Sequence, residues 1–310
     1  MNERIRVLYI MGTARSGSTI LEILLAHGKG CVGAGELTAI VQDGFLEDKP
    51  CSCGAPFSRC RFWGEVVGKL ALTRKELLEW AQLQRRVEWH TGFLRQWLGL
   101  LSRSDWQRYC HYNLRLLQAL QEVSGAGVIV DSSKYAGRAL ALAGMPEVDL
   151  AVVCLTRSPE GLMASFQKPN REEQHPKNPW QVFRYYAFVM FSLRIVLKRL
   201  KERAMTLSYE EFLAEPEAAL AAIGQRFGIA MDDVARKIRH HESFDVGHLI
   251  TGNRLRKKGR VRVSTGMEDR VQGVGRMQII LMKIFCRALG MAGGKHERHH
   301  PKLPERGKGA

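Results

Sequence analysis

The sequence predicts an α/β protein, an open parallel sheet flanked by helices, on three observations. Short apolar runs recur at residues 7–11, 127–131 and 148–155, each long enough for a buried strand and too short for most helices. Each run leads into a polar loop that carries a cation: Arg15, Lys134 and Arg157. Each loop then opens into residues at helical spacing, the strand–helix alternation that builds parallel sheets. In such a sheet the carboxyl ends of the strands share one edge, so the three cations are expected to converge there.

The first of these units organises the rest. The run Val7-Leu8-Tyr9-Ile10-Met11 is followed by Gly12-Thr13-Ala14-Arg15-Ser16-Gly17-Ser18-Thr19, then by Ile20, Ile23, Leu24 and His27 at helical spacing. Strand, tight loop and helix N-terminus aim several backbone N–H groups at one spot, which favours an anion. The outer glycines have the spacing of the nucleotide-triphosphate loop, so the sheet is expected to be P-loop-like. Ser18 stands where that loop carries its lysine. A phosphate-like group is therefore expected, rather than a triphosphate with magnesium. A glycine turn with no ligand is the plain alternative, and four added donors, Arg15, Ser16, Ser18 and Thr19, argue against it.

The totals fit this picture. A chain of 310 residues, 45% hydrophobic and 25% charged, is long enough for a sizeable core. A formal net charge of +16 predicts attraction to polyanions, to an anionic membrane surface as a peripheral contact, or to a highly phosphorylated ligand. No apolar leader follows MNERIR, and no window approaches ~18 uninterrupted apolar residues; residues 185–197 come nearest and are broken by Arg194. The expectation is a soluble cytoplasmic protein without a membrane span. In that setting the seven cysteines read as thiols or metal ligands before they read as a disulfide framework.

Beyond the first helix, residues 28–35 are expected to be a turn-rich connection ending at Gly35-Glu36. Glu36 follows the anion loop by about 20 residues, where an α/β chain returns over its ligand crevice; an ordinary surface carboxylate is the alternative. Cys51, Cys53 and Cys60 form a compact group. Zinc with Cys31 or a histidine as fourth ligand, a disulfide, and free structural thiols are all open readings, the last carrying most weight because Cys-x-Cys is tighter than the usual knuckle. Residues 73–123 have helical periodicity, begun by a Thr73/Glu76 capping box. They predict a helical insertion, about 43–125, whose tryptophans belong mainly to the core.

After the strand at 127–131 a helix is expected over 135–143. Pro159 suits the first turn of the helix that follows the run at 148–155. A long amphipathic helix over 179–203 leads to a fourth strand, 204–208, then helices opening at Tyr209, over 216–227 and over 232–241. Residues 248–262, with six lysines and arginines, His248 and two glycines, predict a mobile loop closing on an anion; with no aromatic residues to stack on bases, a nucleic-acid patch is the weaker reading. A helix over 278–289 closes a single domain, 1–292, leaving a basic, disordered tail, 293–310.

Taken together, these motifs resemble the sulfotransferases that use 3′-phosphoadenosine 5′-phosphosulfate (PAPS), in the bacterial branch similar to tyrosylprotein and carbohydrate sulfotransferases. Ala14-Arg15-Ser16-Gly17-Ser18-Thr19 is similar to that family's 5′-phosphosulfate loop. Arg157 and Ser165, eight residues apart, resemble its 3′-phosphate motif. The resemblance implies that Arg15, Ser16, Gly17, Ser18 and Thr19 hold the phosphosulfate, and that Arg157 and Ser165 select the 3′-phosphate. It further implies that Lys134 contacts the transferring group and that Glu36 is the general base. Tyr209, in Tyr209-Glu210-Glu211-Phe212, is placed near the adenine, and Asn253 and Arg254 in a late loop over the 3′-phosphate. The acceptor is then a hydroxyl of a small molecule, glycan or lipid, and the chemistry needs no metal. A triphosphate-dependent phosphotransferase and a non-catalytic polyanion-binding protein are the competing expectations.

Overall fold

A computed structural model of the chain describes residues 4–167, 177–252, 254–263 and 275–291. Five parallel strands form its central sheet: β1 (Ile5–Gly12), β2 (Cys31–Gly33), β3 (Val128–Lys134), β4 (Val148–Thr156) and β5 (Ala204–Ser208), in the spatial order β2-β3-β1-β4-β5. The chain leaves β1 for one side of the sheet and returns across it to β4 on the other. Such a reversal beside the first strand creates a crevice at the carboxyl ends. An α/β architecture with a parallel sheet is therefore as expected.

β1 shows why this strand sits at the centre. Val7, Tyr9 and Met11 point to one core cluster and Leu8 and Ile10 to the other, the period-2 alternation of a strand buried on both faces. Under one face lie α1 (Ser18–Ala26), α9 (Tyr209–Ala214), α10 (Pro216–Phe227) and α11 (Asp232–Arg239). The other face is covered by α2 (Arg61–Leu70), α3 (Arg74–Val87), α4 (His90–Trp97) and α5 (Arg103–Ser124). It is shared with α6 (Ala136–Ala143), α7 (Pro159–Gln167), α8 (Pro179–Leu200) and α12 (Arg276–Ala288).

Two expectations need correction. Residues 28–35 are not only turns: Cys31–Gly33 pair with β3 as an edge strand, too short for any alternation to register. The tryptophans of residues 73–123 divide as well. Trp80 is fully buried, but Trp89 and Trp97 are 44% and 47% exposed. Inside 248–262, Arg260–Val261 pair antiparallel with Phe244–Asp245 as a small ribbon, β6 and β7. Asn253 and the tail 293–310 lie outside the described residues.

The insertion, α2 to α5, runs between β2 and β3 and is fastened by a buried ion cluster. Arg138 of α6 donates from Nε to Asp131 Oδ2 at 2.6 Å and from Nη1 to Glu88 Oε1 at 2.5 Å and Asn113 Oδ1 at 3.0 Å. Tyr109 donates to the same Glu88 oxygen at 2.8 Å. All the ionic side chains of this cluster are shut off from solvent, where an unpaired charge would be costly, so each partner requires the others. Asp131 also accepts from the backbone N–H and hydroxyl of Ser133, whose Oγ accepts from Thr38 N at 3.0 Å. Helical layer, β3 and the turn after Glu36 thus form one connected unit.

Candidate active site

At the carboxyl edge of the sheet lies a pocket of about 560 Å³ lined by residues of the loop after β1, by Glu36, by the ends of β3 and β4, and by α7 and α9. The loop is wound tightly. Arg15 and Gly17 both have left-handed backbones, φ 67° and 84°. A Cβ built at Gly17 would lie 2.4 Å from the Tyr209 ring, so glycine meets a conformational and a spatial demand at once. At Gly12 a Cβ would lie 2.1 Å from the Leu155 carbonyl oxygen, which lets β1 and β4 run side by side up to the rim.

Three anchors hold the loop. Ser16 Oγ donates to Thr13 O at 2.7 Å, Arg157 Nη1 donates to Arg15 O at 2.6 Å, and Ala14 N donates to Tyr185 Oη at 2.7 Å. Gly17 caps α1 without any side-chain bond to the first turn. Ser18, Thr19 and Ile20 therefore line the pocket at an uncapped helix N-terminus, where donors and dipole favour an anion. Among the described residues, Arg15 Nε is enclosed and has no hydrogen-bond partner.

Cations converge as the strand order predicts: Arg15, Lys134 and Arg157 all line this pocket. The register of β1 against β3 shifts between Tyr9 and Met11, and Lys134 has φ 72°. This bulge re-aims the last side chain of the strand. Lys134 forms an ion pair with Glu36 at the pocket wall. The Arg157 guanidinium lies 4.6 Å from the Tyr209 ring centre, a stacked arrangement that holds the guanidinium plane.

Of the residues singled out from the sequence, Arg15, Gly17, Ser18, Thr19, Glu36, Lys134, Arg157, Ser165 and Tyr209 line the pocket. Ser16 is fully buried and turned into the loop. Arg254 is exposed and not part of the wall, where Gly252 and Leu255 of the same late loop are found instead. Tyr135 and Phe166 also line the pocket, each directly following a residue that the motifs single out. His90 and Tyr185 carry no sequence signal and are brought in only by helix packing: the His90 ring lies 5.2 Å from Tyr135 and 6.0 Å from Tyr185. Burial lowers the His90 pKa and pushes Tyr185 up to about 12, so these two rings are neutral at ordinary pH, while the Lys177 ammonium lies over the Phe166 and Tyr185 rings at 5.0 and 5.8 Å.

Glu22 was also missed, although a lone carboxylate within an apolar helix stretch is a visible irregularity. It is buried under the site, accepting from Gly35 N at 2.5 Å and from Ser132 Oγ at 2.6 Å, and so pins the residue before Glu36. Burial raises its pKa from the usual 4.5 to about 8. The folded chain therefore keeps a proton that the unfolded chain releases between these values. Its stabilising contribution is full below about pH 4.5 and is lost as pH rises toward about 8. Glu22→Gln, uncharged at every pH, is expected to flatten this part of the stability profile, measured by urea unfolding across that window. Equal slopes in the two proteins would contradict a buried, protonated Glu22.

The model of the Sulfotransferase family matches residues 8–233 of this sequence, most of the sheet and the whole pocket edge from β1 to α9. The chain belongs to the sulfotransferase family. No curated protein matches the chain. Among solved structures, the sulfotransferase domain from the curacin biosynthetic pathway superposes with a TM-score of 0.50 at 15% identity, covering 93% of this chain and 99% of that one. At such identity the likeness concerns the fold. The sulfotransferase STF9 from Mycobacterium avium is 14% identical, with a TM-score of 0.45 over 77% of this chain and 68% of that one. In this sulfotransferase no helix among the described residues is long and apolar enough to cross a membrane.

Proposed function

We propose that this sulfotransferase moves the sulfuryl group of PAPS to an acceptor hydroxyl by in-line displacement. The observation that carries the reading is the convergence of Arg15, Lys134 and Arg157 on one pocket around the uncapped start of α1. The acceptor oxygen bonds to sulfur while the bond from sulfur to the phosphate oxygen breaks, and adenosine 3′,5′-bisphosphate leaves. Backbone N–H groups at Ser18 and Thr19, with the Arg15 side chain, hold the 5′-phosphosulfate. Lys134 balances charge on the leaving oxygen, and the hydroxyl proton passes to Glu36. Arg157, just before α7, and Ser165, in the last turn of α7, take the 3′-phosphate, and Tyr209 lies toward the adenine. His90, Tyr135, Phe166 and Tyr185 give the acceptor end of the pocket a largely aromatic wall.

A triphosphate with magnesium is disfavoured because Ser18 stands where its lysine would be. A polyanion-binding surface would not need its cations at three strand ends inside one crevice. Calorimetry with adenosine 3′,5′-bisphosphate, 5′-AMP and ATP, with and without magnesium, tests the reading. The expected result is metal-independent binding of the bisphosphate, at least ~10-fold tighter than 5′-AMP. Equal binding of all three nucleotides, or a requirement for magnesium, overturns it.

A further inference from the structure

Away from the pocket, Cys51, Cys53, Cys60 and His248 bring four metal-ligating atoms within 4.8 Å of one another. Cys53 Sγ and Cys60 Sγ are 3.7 Å apart, and His248 Nδ1 lies 3.7 Å from Cys51 Sγ and 3.2 Å from Cys60 Sγ. A tetrahedral zinc ion, with bonds of roughly 2.3 Å to sulfur and 2.0–2.1 Å to nitrogen, sets its ligand atoms about 3.3–3.8 Å apart. A disulfide would need sulfurs at about 2.05 Å, and all seven cysteines are free thiols. We propose that Cys51, Cys53, Cys60 and His248 form a structural zinc site joining the start of the helical insertion to the loop that enters the pocket.

The surrounding backbone is built around these four side chains. Cys51 N donates to Ala55 O and Gly54 N to Cys51 O, both at 2.8 Å, so the chain between the first two cysteines folds back as a knuckle. Cys60 sits at the N-terminus of α2. His248 comes from a segment almost 200 residues later and is gripped on both sides. Ser52 N donates to Leu249 O at 2.8 Å, Leu249 N to Ser52 Oγ at 2.9 Å, and Trp63 Nε1 to His248 O at 2.6 Å. Its ring stacks on Phe62 with centres 5.5 Å apart and planes 13° from parallel. Cys51 and Cys60 are buried, and the four protein ligands complete the shell of a closed, non-catalytic site. Four residues beyond His248, Gly252 reaches the pocket wall, so the ion fixes the root of that loop.

The test is the metal content of the full chain, expressed with added zinc and purified without a histidine tag. About one zinc per chain is expected, falling close to zero in Cys60→Ser and in His248→Ala. It should remain in Cys31→Ser and in the tail variant His296→Ala/His299→Ala/His300→Ala. Replacing zinc by cobalt should give the thiolate charge-transfer and strong visible bands of tetrahedral coordination. Should the buried Cys60→Ser fail to fold, Cys53→Ser, at an exposed position, provides the same reading through a weakened thiolate band. Wild-type chain without zinc, zinc that leaves with the tail histidines, or an intact mass two hydrogens short with Cys53 joined to Cys60 would each overturn the proposal.

Discussion

Lys134→Ala is expected to lower turnover at least ~100-fold while leaving nucleotide affinity far less changed. The reason is when its charge is needed. Negative charge gathers on the leaving oxygen only as the bond to sulfur stretches, so a cation fixed there favours the transition state over the bound ground state. Fixation is visible in the backbone: the lysine ends a bulged strand with φ 72°, and its ammonium also donates to Ser132 O at 3.3 Å. Single-turnover rates at saturating donor, beside calorimetric binding of adenosine 3′,5′-bisphosphate, separate the two effects. A near-normal rate would remove Lys134 from this role. A loss confined to affinity would make it a binding residue only.

Arg157→Ala should erase most of the preference for a 3′-phosphate. A charge-assisted hydrogen bond contributes about 1.5–3 kcal/mol, so the ratio of bisphosphate to 5′-AMP affinity should fall roughly 10- to 100-fold. Arg157 also supports Arg15 O and stacks on Tyr209, so some general weakening will affect both nucleotides. The ratio, unlike either affinity alone, isolates the 3′-phosphate. Arg157→Lys should restore little of it, because an ammonium cannot reproduce the planar fork that stacks and donates in two directions. An unchanged ratio would place the 3′-phosphate elsewhere.

How far the molecule was legible depended on the range of each interaction. The loop Gly12–Thr19 announced itself because strand, turn and helix signals are local and consecutive, and the same holds for Lys134 at the end of β3 and Arg157 one step past β4. The three-residue β2 did not, since its strand character exists only in pairing with β3. Nor could spacing show that Glu88, Asn113, Asp131 and Arg138, spread over 51 residues, meet in one buried cluster. The cysteine group was visible, but its histidine partner, separated by almost 200 residues, was not distinguishable from the nine other histidines. Tertiary packing chose both.

The central position of β1 has a consequence for how the chain is made. Its two neighbours, β3 and β4, begin at Val128 and Val148, so β1, made before both, has no partner on either side until the whole helical insertion has been synthesised. At roughly 5–20 residues per second that interval is on the order of ten seconds. Throughout it, the run Val7–Met11 remains an apolar strand with both edges open, the form most prone to pairing with another chain. Synthesis speed and early chaperone contact should therefore influence the yield of correctly paired sheet.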